Sequence, residues 1–258
     1  MAGPLEDSPA VIPAVIVDHV TKVFDEAPGT PPVIQDLSLR IAEGEFVCLL
    51  GASGCGKSTL LALIAGLDKP TSGTIETPGG KTTLMFQESA LFPWLTAGGN
   101  IELALRLSGV PRSQWEAETE RLLDLVHLSG QSHMRVHELS GGMRQRVALA
   151  RALAQRARIL LMDEPFGALD AITRDVLHDE LSHIWQEAEL TILFVTHNVR
   201  EAARLGQRVL LMSSRPGRFV REWQVDIKGP RRIEAPDVSA LAGEILAELR
   251  MEIRSHGN

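Results

Sequence analysis

Tyrosine is absent from these 258 residues, and aromatic side chains together make up only 4%. Any stacking must therefore come from seven phenylalanines and four tryptophans. Cysteine is almost missing as well, with Cys48 in an apolar run and Cys55 in a glycine-rich turn. Such a pair makes no plausible disulfide, so both thiols are expected as small packing residues. No apolar run approaches the roughly 18–20 residues that cross a bilayer. The start Met1-Ala2-Gly3-Pro4-Leu5-Glu6-Asp7 has neither the basic nor the apolar segment of a secretory signal, so a cytoplasmic chain is expected. Positive charge is in deficit: 26 Lys and Arg against 33 Asp and Glu leave a net charge of −7. That balance argues against a surface built for nucleic acid or anionic lipid. Membrane contact, if any, is expected to run through a protein partner.

What is present is a core, with 44% hydrophobic residues in a length that suits one large domain or two small ones. It is organised around Glu45-Phe46-Val47-Cys48-Leu49-Leu50-Gly51-Ala52-Ser53-Gly54-Cys55-Gly56-Lys57-Ser58-Thr59-Leu60. An apolar run of strand length meets a glycine-rich turn, and a helical pattern starts as a lysine and two hydroxyls appear. This is the layout of a P-loop. Its backbone N–H groups can turn inward as an anion nest, and the helix N-terminus adds unpaired donors and the positive end of its dipole. Lys57 can reach the β- and γ-phosphates of a nucleoside triphosphate, and the Ser58 hydroxyl is placed to ligate Mg²⁺.

In chain order, residues 1–13 read as a loose leader. Strands are expected from Val15 to Phe24 and from Val33 to Ile41, separated by a turn-rich insertion over residues 25–32. Phe24, at the rim of that hairpin, is by residue type a core position more often than an adenine-stacking one. Lys69-Pro70-Thr71-Ser72-Gly73 reads as a turn, and Thr83-Leu84-Met85-Phe86 as a short strand ending at Gln87. From about Thr96 to Gln155 the pattern is helical, broken near residues 108–111 and 128–130, which suggests a helical subdomain inserted into the sheet. Continuous apolar runs then mark buried parallel strands within residues 158–165, 191–197 and 209–212. A last helix is expected from about Val238 to Ile253. The fold class is α/β: a P-loop sheet, an inserted helical subdomain over about 96–156 and an antiparallel β subdomain. The nucleotide-binding domain is expected over 14–225, with a helical extension over 226–258.

Two more sites carry chemistry. An apolar strand delivers Asp163 and Glu164 at its carboxyl end, where open α/β sheets bind ligands. Asp163 is thus placed to hold Mg²⁺ opposite Ser58, and Glu164 to orient and deprotonate a water; a helix-capping carboxylate pair is the plainer alternative. Leu139-Ser140-Gly141-Gly142-Met143 opens a helix with Ser140 as its cap and two glycines baring its N-terminus. That forms a second anion nest. One triphosphate already has its cradle at residues 51–58, so the second nest suggests a nucleotide held by another copy.

Together, residues 51–58, Gln87, 139–143, 159–164, Ala168-Leu169-Asp170 and His197 resemble, in order, the motifs of the ABC ATPases. The stretches Met85-Phe86-Gln87-Glu88-Ser89-Ala90-Leu91-Phe92-Pro93-Trp94-Leu95-Thr96, Asp163-Glu164-Pro165-Phe166-Gly167-Ala168-Leu169-Asp170 and Ser213-Ser214-Arg215-Pro216-Gly217-Arg218 resemble the nitrate, sulfonate and taurine importer subfamily. The resemblance implies the ATP-hydrolysing subunit of a bacterial importer, working with ATP and Mg²⁺. Nucleotide contacts then fall to Phe24, Gly51, Ala52, Ser53, Gly54, Cys55, Gly56, Lys57, Ser58 and Thr59. Ser140, Gly141 and Gly142 close over the opposite subunit's nucleotide. Glu164 becomes the base, His197 a γ-phosphate contact, Gln87 a sensor of Mg²⁺ and water, and Asp170 a tie between copies. Metal contacts fall to Ser58, Gln87 and Asp163.

Implied partners are a second ATPase subunit, a membrane permease met through Leu91, Phe92, Trp94 and Leu95, and, indirectly, an extracytoplasmic solute-binding protein. No nucleic acid is implied. The chain would sit on the cytoplasmic face of the membrane, held by the permease; Trp94 as an ordinary core residue is the plain alternative. Three positions depart from the common pattern: Met143 for glutamine, Asn198 for aspartate and Phe24 for tyrosine. None removes a catalytic group. Two rival readings remain open: a non-transport ABC ATPase in DNA repair or at the ribosome, and a P-loop kinase or GTPase acting alone.

Overall fold

The structure, a computed structural model, describes residues 12–24, 29–167, 169–227 and 231–255. The leader up to residue 11, positions 25–28 of the insertion, Ala168, and positions 228–230 and 256–258 lie outside the described residues.

A six-stranded sheet forms the centre. Its strands are β3 (Phe46–Gly51), β5 (Thr82–Met85), β6 (Ile159–Asp163), β7 (Thr191–Val195), β8 (Arg208–Met212) and β9 (Phe219–Gln224), in the order β5-β6-β7-β3-β8-β9. All neighbours run parallel except β9, which pairs antiparallel with β8. The apolar runs read as buried strands divide their residues between two cores. Phe46, Cys48 and Leu50 of β3, Leu160 and Met162 of β6, and Ile192 and Phe194 of β7 point to one side. Val47 and Leu49, Ile159 and Leu161, and Leu193 and Val195 point to the other. Period-two alternation within an all-apolar strand thus covers both faces of the sheet.

On one face, β1 (Pro13–Lys22), β2 (Ile34–Ala42) and β4 (Ser72–Glu76) form a three-stranded antiparallel sheet, ordered β2-β1-β4, with α1 (Lys57–Ile64) packed between it and the central sheet. On the other face lie α2 (Ala97–Leu107), α3 (Trp115–Leu125) and α4 (Gly141–Leu153), followed later by α5 (Ala171–Glu187), α6 (Val199–Leu205) and α7 (Pro236–Ser255). Caps set the helix starts: Thr96, Ser140, Asp170 and Asn198 each accept a backbone N–H from the first turn of α2, α4, α5 and α6.

Two strands differ from the sequence reading. The turn expected at 69–73 gives way at Ser72 to β4, whose residues are mostly exposed and offer no apolar alternation. Gly73 is what lets it pair there, since a Cβ would stand 2.4 Å from the His19 carbonyl oxygen of β1. Strand β9 was not anticipated, because Trp223 is its single buried residue. The leader also ends earlier than expected, with Pro13 already in β1.

Candidate functional site

Because β5, β6, β7 and β3 are parallel neighbours, their carboxyl ends share one edge of the sheet. Gln87 follows β5, Asp163 and Glu164 close β6, Thr196 and His197 follow β7, and the P-loop follows β3. Residues spread over some 150 positions are thereby brought to one line.

The loop after β3 folds tightly. Gly54 and Gly56 take φ of 76° and 104°, left-handed values that a side chain rarely tolerates. Lys57 is buried, and its Nζ donates to the carbonyl oxygens of Gly51 at 2.8 Å and Ala52 at 2.9 Å. Cys55 Sγ lies 3.7 Å from the same amine. Burial pushes both thiols above the ordinary range, in Cys55 against the opposing pull of Lys57, in keeping with packing roles. Behind the loop stands the 213–218 turn: Gly217 exchanges backbone bonds with Val33 and Gln35, and a Cβ on it would stand 2.3 Å from the Cys55 carbonyl oxygen.

Asp163 is half-buried and bonded to Ser58. Burial raises its carboxyl above the usual range; the Ser58 hydrogen bond opposes this, Glu164 adds to it and Lys57 opposes it. A hydroxyl and a carboxylate in contact beside a phosphate nest are hard oxygen donors of the kind Mg²⁺ takes together with substrate phosphates. Among the described residues no group of three or more His, Cys, Asp or Glu forms a complete metal cage. Such a partial donor set fits an ion that arrives with the nucleotide.

Glu164 Oε2 and His197 Nδ1 meet at 2.8 Å, and Glu164 holds a left-handed backbone with φ 45°. Its N–H donates to the Val195 carbonyl oxygen at 3.0 Å, which stitches β6 to β7 at the point where both side chains emerge. Gln87 is exposed, and its backbone carbonyl accepts from Gln145 Nε2 of α4 at 3.0 Å.

Other expected site residues stand apart from these contacts. Phe24 is 63% exposed, with Lys22 Nζ 5.0 Å from its ring centroid, so the core position favoured by residue type is corrected. Trp94 is 69% exposed and leans on Phe92, which corrects its alternative core reading too. Ser140 Oγ accepts from Met143 N, and Gly141 and Gly142 begin α4 without left-handed backbone. Met143 packs its side chain on the core. Asn198, the other departure within a motif, caps α6 through bonds from the Arg200 and Glu201 N–H groups.

The sequence reading missed Arg174, His178 and Glu201, which lie directly behind His197. The available signal was charge placed where α5 and α6 would otherwise turn apolar residues inward.

A parallel sheet with a phosphate nest, a hydroxyl–carboxylate pair and a carboxylate–histidine pair on one edge defines a P-loop nucleoside triphosphatase. Comparison narrows this. The ABC transporter family model matches residues 34–167. The nitrate import ATP-binding protein NrtD of Synechocystis sp. is 46% identical over 220 residues, covering 83% of each chain. The aliphatic sulfonates import ATP-binding protein SsuB of Bacillus subtilis is 40% identical over 242 residues, covering 91% of this chain and 94% of its own. A dimeric ATP-binding cassette solved in a post-hydrolysis state with ADP and Pi superposes with a TM-score of 0.75 at 32% identity, covering 83% of this chain and all of that one. The chain belongs to the ABC transporter family, as an ATP-hydrolysing, ATP-binding subunit that works with Mg²⁺. Neither a DNA-repair or ribosomal ABC ATPase nor a lone P-loop kinase is supported by these likenesses.

Proposed function

We propose that two copies of this chain close over two ATP molecules and drive a membrane permease that imports a small solute: an aliphatic sulfonate, taurine or nitrate. The contact of Glu164 with His197, on the edge that also carries Lys57 and the Ser58–Asp163 pair, is the observation that carries this reading. The printed functions of the nitrate and sulfonate relatives support the solute class. Phe24, free of the core, stacks on adenine. The loop at 51–59 cradles the phosphates, and Lys57 leaves its two carbonyls for the β- and γ-oxygens. Ser58, Asp163 and Gln87 would hold Mg²⁺, which would offset phosphate charge. Glu164 accepts a proton from the water that attacks the γ-phosphorus in line, and His197 holds a γ-oxygen while bonded to Glu164.

The nest at 140–142 serves the other copy. Its helix is tied through Gln145 Nε2 to the Gln87 carbonyl oxygen, and the loop at 51–59 already offers one triphosphate a complete cradle within the same chain. The nucleotide-binding domain is read as 14–225, with helices inserted over about 96–156 and a helical extension over 226–258. The permease docks at a cavity of about 420 Å³ lined by Leu67, Phe86, Phe92, Leu103, Leu107 and Arg151, with exposed Trp94 beside Phe92. The chain sits at the cytoplasmic face of the membrane, held by the permease; among the described residues no helix is long and apolar enough to cross a membrane.

The test is Glu164→Gln with ATP and Mg²⁺ over a range of protein concentrations. Hydrolysis should fall about 10²–10⁴-fold while an ATP-bound dimer accumulates. Normal turnover, or a chain that stays monomeric with ATP, overturns the reading. With the permease present, Trp94→Ala should lower transport per ATP hydrolysed and leave nucleotide affinity unchanged; a loss of affinity instead removes Trp94 from the docking surface.

A further inference from the structure

Behind the Glu164–His197 contact lies a second carboxylate that the reaction does not use. Glu201 is 4% exposed, on the first turn of α6. Its Oε2 accepts from Thr196 Oγ1 at 2.5 Å, and Thr196 immediately precedes His197. Its Oε1 lies 3.5 Å from Arg174 Nε and 3.4 Å from His178 Nε2, both on α5. Burial alone would raise this carboxyl, but its bonds to His178 and Thr196 and the charge of Arg174 hold it below the ordinary range.

Arg174 faces two ways. Besides Glu201, its Nε donates to the Phe166 carbonyl oxygen at 3.2 Å and its Nη2 to that of Leu169 at 2.6 Å. Those carbonyls belong to buried residues of the turn that ends at Asp170, the exposed cap of α5. A cavity of about 10 Å³ is walled jointly by Glu164, His197, Arg174 and Glu201, so the network abuts the reacting groups directly. A buried carboxylate is costly unless its lone pairs find partners, and here the partners come from the loop after β7 and from α5.

We propose that Glu201 and Arg174 are a positioning pair that locks the His197 loop to the 166–170 turn, so that nucleotide engaged at His197 sets the surface on which the second copy closes. This rests on the paired-copy reading above. Neither residue touches substrate. Were the pair only structural, its loss would lower fold stability and nucleotide binding without singling out closure.

The experiment uses the full chain in the Glu164→Gln background, adding Glu201→Gln, Arg174→Gln and both. Nucleotide affinity is read by fluorescent ATP titration at dilutions where the chain is monomeric, and ATP-driven dimerisation by sedimentation. Each single variant should keep affinity within about twofold and weaken dimerisation about tenfold, a mid-range coupling. The double variant should be no worse than either single, as expected of one unit. Unchanged dimerisation, equal losses of affinity and dimerisation, or additive losses overturn the proposal. If Glu201→Gln fails to fold, the half-buried Arg174 supplies the test: Arg174→Lys keeps a charge but cannot bridge both carbonyls and Glu201, and dimerisation at the reference level overturns the proposal. A Glu164→Gln reference that never dimerises with ATP overturns the paired-copy reading itself, and this inference with it.

Discussion

The two glycine-rich helix starts, at 51–58 and at 140–142, use the same residue type for opposite ends. In the first, glycine supplies conformation: Gly54 and Gly56 are left-handed, α1 has no side-chain cap, and a buried lysine fills the turn. In the second, glycine supplies room. Backbone at 140–142 is not left-handed, Ser140 caps the helix, and Cβ atoms on Gly141 and Gly142 would meet nothing closer than 3.9 Å and 3.3 Å. The nearby Arg144 guanidinium donates through Nη1 to the Leu139 carbonyl oxygen, and its Nη2 is the atom 3.9 Å from a Gly141 Cβ. One nest is therefore complete within its own chain, cation included. The other is a serine-capped helix start with room beside its glycines, and its proposed ligand is the nucleotide of a second copy.

That contrast can be broken by substitution, beginning with the largest effect. Lys57→Ala removes the buried cation of the first nest, and hydrolysis should drop at least about 10²–10³-fold, with ATP binding by the isolated chain lost in fluorescent titration. Retained affinity would mean that backbone donors alone hold the phosphates. Gly142→Ala takes up the room in the second nest: its Cβ presses on a Leu169 methyl and moves the helix end. Turnover should fall about ten- to a hundredfold, less than the removal of a whole donor, with monomer affinity untouched. Equal damage to monomer affinity would show the two nests serving one nucleotide. Smallest is Met143→Gln, which restores the amide common in relatives. Since Met143 packs on the core rather than on the nest, turnover and melting temperature should stay within about twofold and a few degrees.

Acid sharpens the same division. Glu201 has a lowered carboxyl pKa, so the stability it contributes is present above its unfolded value near 4.5 and is lost as pH falls through the lower folded value. Asp163 behaves oppositely, because its raised carboxyl makes ionisation in the folded chain unfavourable. Glu201→Gln should therefore flatten the acid limb of a melting-temperature profile.

Much of this was legible beforehand, because strand carboxyl ends, glycine turns and helix caps are local signals. Parallel strands read as apolar runs, and the site residues follow them directly. β4 and β9 were not legible, since an exposed edge strand carries little alternation and β4 depends on Gly73 approaching His19. Phe24 and Trp94 also resisted: aromatics occupy cores and surfaces alike, and only exposure separates them. The Glu201–Arg174 pair was hidden because its meaning lies in carbonyls of a different loop.

The missing tyrosines give one exposed side chain a further use. Ultraviolet emission from this chain comes from indoles alone, at positions 94, 115, 185 and 223, and only Trp94 among them is exposed. Trp115, Trp185 and Trp223 each donate their ring N–H within the fold. The red-most part of the spectrum therefore belongs to a single site, beside the cavity proposed to receive the permease. A shift of that component toward the blue would record docking without any label, in the wild-type chain.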